Sequence, residues 1–81
     1  MNNLDVLNRI TALFATMADT DEEITADNEL VEDLGISSMD VLFLISSLEE
    51  EFNIKISQKL VRTMVTIGDV VDAVNDLMEN K

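Results

Sequence analysis

Apolar residues near the start of the chain recur at three- and four-residue spacing, which predicts an amphipathic helix near residues 3–17. Residues 19–36 are polar and acidic, so we expect a loop that is unusually long for so small a domain. Scattered apolar residues indicate that this loop is pinned to the core. The helix stripe consists of Leu4, Leu7, Ile10, Phe14 and Met17, and the loop residues are Ile24, Leu30, Val31, Leu34 and Ile36.

Cap patterns predict three further helical segments. Ser37 suits the N-cap of a helix that ends near Phe52, and Asp40 stands where it can complete a capping-box-like pair. After a short alternating link at residues 53–56, Ser57 is expected to cap a short helical turn. Thr66, followed by Asp69, repeats the cap pattern and opens the last helix. The turn carries Leu60, Val61 and Met64, and the last helix carries Val70, Val71, Val74, Leu77 and Met78.

Together these segments predict an all-α fold: a small four-helix bundle of three longer helices and one short helix. The long loop joins the first and second helices. The 81 residues, 47% of them hydrophobic, suffice for one packed domain over residues 1–81.

The second helix carries two apolar stripes. At about 100° per residue, Val41, Leu44, Ile45, Leu48 and Phe52 fall within one sector, as core-facing residues should. A second sector, centred roughly 150° away by the same spacing, indicates either an interaction surface or burial by a second neighbour. That sector contains Met39, Leu42, Phe43 and Ser46.

The net charge of −12 excludes some classes of partner. Such a field repels phosphate backbones and anionic lipid, so we expect no nucleic acid and no membrane insertion. It attracts basic protein surfaces, although acidity also serves solubility alone. No secretory signal or membrane-spanning apolar run is visible, so we expect a cytoplasmic protein.

The residue types in the sequence do not favour a catalytic site or a metal site. The chain has no His and no Cys, so it has neither a thiolate metal site nor a histidine base that would activate a serine. Residues 19–23 begin like a calcium loop, but Ile24 and Leu30 stand where glycine and glutamate are needed. We therefore expect no enzyme activity and no dedicated metal site, but weak stabilisation of the clustered carboxylates by salt or magnesium.

Ser38 is the candidate functional residue. If Ser37 is the N-cap, Ser38 is the first residue inside the helix, near unpaired N–H groups and the positive end of the helix dipole. A phosphate attached there is favoured electrostatically. A serine without a base suits modification by another enzyme, although two adjacent serines also serve simply as caps.

The stretch Glu29–Asp40, together with Leu48–Phe52 and Ile54–Ile56, closely resembles the acyl carrier protein family. The family's Leu-Gly-x-Asp-Ser-Leu motif opens the second of four helices, and the resemblance covers nearly the whole chain. It implies that a phosphopantetheinyl transferase attaches 4′-phosphopantetheine from coenzyme A to Ser38 through a phosphodiester. Since the chain has no cysteine, the prosthetic group would supply the thiol that holds an acyl group as a thioester.

By the same resemblance, the carrier presents acyl groups to acyl-transferring and chain-modifying enzymes of a fatty-acid or a specialised acyl or polyketide pathway. The acyl chain is expected to fold back between the helices, where each buried methylene contributes up to about 0.8 kcal/mol. The residues expected to line that space are Val41, Leu44, Ile45, Leu48, Ile56, Leu60 and Val70.

Three positions depart from the family pattern. Ser37 replaces the motif's Asp, Met39 replaces its Leu, and Phe43 stands where many free-standing fatty-acid carriers have an acidic residue. We therefore expect a specialised carrier whose partners have basic or mixed apolar docking patches. We expect the carrier itself to be a monomer. The residues predicted to face partners are Met39, Asp40, Leu42, Phe43 and Glu50. Two alternatives remain open: a carrier for an amino acid, and a cofactor-free acidic helical module that binds a basic protein.

Overall fold

The computed structural model describes residues 3–80, and this part of the chain contains four helices. They are α1 (Asn3–Ala15), α2 (Ser38–Phe52), α3 (Gln58–Val61) and α4 (Ile67–Glu79). The predicted all-α bundle of three longer helices and one short helix is confirmed, and so is the long loop between α1 and α2. None of the described helices is long and apolar enough to cross a membrane.

Hydroxyl side chains begin α2, α3 and α4, as the cap patterns predict. Ser37 Oγ accepts the Asp40 N–H at 3.2 Å, and Ser57 Oγ accepts the Leu60 N–H at 3.1 Å. At α4 the capping box with Asp69 is complete, because each partner bonds to the other's backbone N–H. Of the capping-box-like pair predicted for Ser37 and Asp40, the structure shows the hydrogen bond from the Asp40 N–H to the Ser37 side chain.

The core joins α1 to α4 and to the inner stripe of α2. Val6, Ile10 and Phe14 of α1 are fully buried. The predicted core-facing residues of α2 are all buried, as are Val70, Val71 and Val74 of α4. The Arg9 guanidinium lies 5.9 Å from the centre of the Phe52 ring and adds a contact between α1 and α2.

The structure of α1 differs from the prediction in two details. Leu4 is 63% exposed, because it lies roughly 120° around the helix from the centre of the buried stripe at Ile10. Val6 takes its place in the core. The helix also ends at Ala15 rather than residue 17, since the N–H groups of Thr16 and Met17 bond three residues back and tighten the last turn.

The long loop is pinned to the core, as predicted, by Leu30, Leu34 and Ile36, which are each 1% exposed. Ile24 is half-buried. Val31 was wrongly placed in the core and is 49% exposed.

Backbone hydrogen bonds tie this loop to the segment of residues 62–66 between α3 and α4, called here the α3–α4 turn, and to the start of α4. The Leu30 N–H donates to the Val65 carbonyl at 2.8 Å, and the Gly68 N–H donates to the Ala26 carbonyl at the same distance. Glu29 and Thr66 form an isolated antiparallel bridge. The loop and the turn therefore lie side by side.

In the alternating link after α2, Ile54 and Ile56 are buried, while Asn53 and Lys55 are exposed. Asn53 ends α2 in the left-handed region, with φ of 54°, a conformation that asparagine tolerates. The short helix α3 is smaller than expected, because Met64 lies beyond its end and is buried in the α3–α4 turn.

Candidate functional site

The loop turns sharply just before Ser38. Gly35 has φ of 69°, in the left-handed region, and a Cβ there would lie 3.1 Å from the Cβ of Asp19. Both conditions favour glycine. The turn places Ile36 in the core, while Ser37 and Ser38 are exposed.

The two serines have different roles. The Ser37 hydroxyl accepts the Asp40 N–H and serves as the cap. Ser38 is the first residue of α2, and its exposed hydroxyl lies at the end of the helix where unpaired N–H groups carry a partial positive charge. Ser38 is therefore exposed at the end of α2 that favours a negatively charged group, and its modification stays a prediction.

A groove of about 330 Å³ opens beside Ser38. Its walls come from three segments: the long loop, the first turns of α2, and the end of α3 with the α3–α4 turn. Apart from Glu29 and Ser38, every lining residue is apolar. The lining residues are Glu29, Leu30, Val31, Ser38, Val41, Leu42, Val61, Met64 and Val65.

Most of the residues predicted to line an acyl pocket lie elsewhere. Val41 lines the groove, and Leu60 is half-buried. The other five lie in the packed core: Leu44, Ile45, Leu48, Ile56 and Val70. Helical periodicity identified the buried stripe of α2. It gave no signal for Leu30 and Val65, since these reach the groove only through the pairing of the loop with the turn.

The second stripe of α2 faces solvent. Met39 is 77% exposed, Leu42 53% and Phe43 59%, so the alternative in which a second neighbour buries this stripe is wrong. Asp40 and Glu50, the other residues predicted to face partners, are also exposed. Leu42 has a double position, because it lies on this face and also lines the groove.

The carboxylates around the site differ in their surroundings. Glu49 Oε2 accepts the Ile56 N–H at 2.8 Å and so holds the link after α2. At the start of α4, hydrogen bonds from the N–H groups of Val65 and Thr66 hold the pKa of Asp69 below its usual range. Among the described residues, no group of three acidic side chains is arranged to hold a metal ion.

Known proteins are similar to this chain in sequence and in fold. A family model described as the phosphopantetheine attachment site matches residues 8–74. An acyl carrier protein of Helicobacter pylori is 41% identical over 68 residues, which cover 83% of this chain and 87% of that protein.

Two solved acyl carrier proteins show the same fold. The protein from Thermotoga maritima superposes with a TM-score of 0.82 at 23% identity, covering 99% of this chain and 94% of its own. The protein from Enterococcus faecalis gives 0.80 at 24% identity, covering 95% and 99%.

Fold and family model together define a small helical carrier of the phosphopantetheine-binding class. Within that class, the chain belongs to the acyl carrier protein family. Members of this family are carriers rather than enzymes, and their domain carries covalent 4′-phosphopantetheine. They work with a phosphopantetheinyl transferase and with acyl-handling enzymes.

Proposed function

We propose that this protein carries acyl intermediates as thioesters on 4′-phosphopantetheine attached to Ser38. The observation that carries the proposal is the exposed Ser38 hydroxyl at the positive end of α2, beside an apolar groove. The region that the phosphopantetheine family model matches includes this serine.

Attachment requires a separate transferase. Ser38 Oγ attacks the phosphorus of coenzyme A that bears pantetheine and forms a phosphodiester, while the bond from that phosphorus to the oxygen bridging the two phosphorus atoms breaks. Adenosine 3′,5′-bisphosphate leaves, and a base of the transferase takes the serine proton. In this chain Ser37 fixes the start of α2, and the helix dipole favours the negative phosphodiester. Once attached, the group supplies the thiol on which acyl groups are held.

The groove supports an apolar acyl cargo. Apart from Glu29 and Ser38 its lining is apolar, so a saturated chain that enters the groove covers few polar groups of the protein. Each methylene removed from water contributes up to about 0.8 kcal/mol. Because the rest of the lining is apolar, a fatty acyl or similar specialised acyl chain is favoured over an amino acid, whose charged amine has Glu29 as its one charged partner among the lining residues.

The exposed face of α2 supports docking of partner enzymes. We define the docking face as Met39, Asp40, Leu42, Phe43 and Glu50. Phe43 and Glu50 lie nearly in line along the helix, about 10 Å apart at the rise of an α-helix. A partner with an apolar socket for Phe43 and a cation for Glu50 fits this face, and steering by the net charge of −12 favours basic surfaces.

Intact-mass measurement tests the attachment. The purified chain is incubated with coenzyme A and a broad-specificity phosphopantetheinyl transferase. We expect wild type and Ser37→Ala to gain the mass of phosphopantetheine and Ser38→Ala to remain unchanged. The Ser37→Ala variant is the matched control, because it removes the neighbouring hydroxyl.

No gain of mass with several transferases would contradict the proposal and favour the acidic module that binds a basic protein without a cofactor. The single domain over residues 1–81, the monomeric state and the cytoplasmic location remain predictions from the sequence. So does the choice of a specialised pathway over general fatty-acid synthesis.

A further inference from the structure

The back of the groove is a wall of two non-helical segments. We call Leu30 and Val31 of the loop, with Met64 and Val65 of the α3–α4 turn, the groove wall. The Leu30 N–H donates to the Val65 carbonyl at 2.8 Å and joins the two halves. Buried Leu30 and Met64 tie the wall to the core, and the hydrogen bond couples its two halves, so the groups that hold the peptide between Val65 and Thr66 also contribute to the position of the wall.

Asp69 binds the other side of the peptide group that joins Val65 to Thr66, whose carbonyl accepts the Leu30 N–H. Its Oδ2 accepts the Val65 N–H at 2.9 Å and the Thr66 N–H at 3.1 Å. Its own N–H donates to Thr66 Oγ1 at 3.1 Å. A continuous chain of hydrogen bonds therefore runs from Asp69 through the Val65 peptide to Leu30.

The anchor of this chain is rigid. Asp69 lies in the first turn of α4, and α4 is fixed in the core by Ile67, Val70 and Val74, which are fully buried. Asp69 itself is only partly buried and is not among the core residues. Its carboxylate can therefore be changed without removing the apolar contacts that hold the helix.

We infer that Asp69 is a positioning residue for the acyl groove: it sets the wall through Val65 and Leu30 and so determines how firmly an acyl chain is held. The effect on the acyl chain rests on the proposed function. The positioning of the groove wall by Asp69 does not, because it concerns the protein without a prosthetic group. Hydrogen bonds to an ionised carboxylate are stronger than those to a neutral amide, so charge and not shape alone should matter.

The consequence is tested on loaded protein. Wild type, Asp69→Asn, Asp69→Glu and Asp72→Asn are loaded from acetyl- and decanoyl-coenzyme A by a broad-specificity transferase. Circular dichroism first identifies the variants that are folded. For these variants, the rate of thioester cleavage by hydroxylamine is then measured. Asp72, exposed on the same helix, gives the matched control.

We expect the wild-type decanoyl thioester to be cleaved more slowly than the acetyl thioester, since a chain held in the groove shields it. In Asp69→Asn the decanoyl rate should rise about five-fold, the factor for one lost net hydrogen bond, with the acetyl rate unchanged. Asp69→Glu should recover much of the protection, and Asp72→Asn should match wild type. Equal decanoyl rates in wild type and Asp69→Asn, or an equal rise for both thioesters, would overturn the inference.

Amide hydrogen exchange tests the structural half on the unloaded protein. In Asp69→Asn the amides of Leu30, Val65 and Thr66 should exchange faster, while the core amides of Ile10 and Val74 should not. Unchanged exchange at Leu30 and Val65 would overturn the inference even if Ser38 is loaded normally. Failure of wild type to be loaded would instead contradict the proposed function and leave the exchange result to decide the role of Asp69.

Discussion

At the scale of single residues, neighbouring positions have opposite roles. Ser37 is tied to the backbone as a cap, whereas Ser38 presents its hydroxyl to solvent. On the next turns Val41 and Leu44 are buried, while Leu42 and Phe43 are exposed. The proposed attachment serine therefore lies beside a large exposed apolar surface. Exposed apolar patches that contain an aromatic side chain commonly serve recognition.

Phe43→Ser tests that surface. We expect it to raise the KM of the loading transferase for this protein about ten-fold, as the truncation of a central apolar contact does, with little change in kcat. The free energy of unfolding should change by less than about 0.5 kcal/mol, since Phe43 is 59% exposed.

Leu4→Ser is the matched control for Phe43→Ser. Leu4 is 63% exposed, close to the value for Phe43, but it lies on α1. Equal KM values for wild type and Phe43→Ser, or an equal rise in both variants, would remove Phe43 from the docking face.

At the scale of elements, the sequence predicted what is local. The cap hydroxyls of Ser37, Ser57 and Thr66 locate three helix starts, and the spacing from Val41 to Phe52 identifies the buried side of α2. Val31 was misplaced and the groove was missed, because both depend on the pairing of residues 29–30 with residues 65–66. That pairing joins segments about half a chain apart and leaves no periodic pattern.

The capping box of α4 predicts a pH dependence. Because its hydrogen bonds lower the pKa of Asp69, the carboxylate stabilises the fold above the ordinary pKa of aspartate, about 3.9. This contribution is lost as the pH falls through the lowered pKa of the folded state. Measured by urea unfolding, the difference in free energy of unfolding between wild type and Asp69→Asn should be constant above about pH 5 and shrink below about pH 4.

The comparison between the two proteins isolates Asp69, since the substitution changes that carboxyl group alone. A difference that stays constant down to the lowest pH at which the proteins fold would show that the charge of Asp69 does not stabilise the box.

At the scale of the whole molecule, net charge of −12 on 81 residues sets the behaviour in solution. Self-repulsion destabilises the compact state, and counterions relieve it. We expect added sodium chloride, and more so magnesium at equal ionic strength, to raise the melting temperature. Relief of about 1 kcal/mol corresponds to about 4–8 °C for a domain of this size. A melting temperature that does not change with either salt would contradict this expectation.

The most direct test of the central claim is to locate the phosphopantetheine on the protein. After treatment with coenzyme A and transferase, the chain is digested, and the peptide that contains residues 37 and 38 is fragmented in a mass spectrometer. The account predicts one adduct, on Ser38, and none on Ser37. An adduct on Ser37 or elsewhere, or no adduct with any transferase, would contradict it.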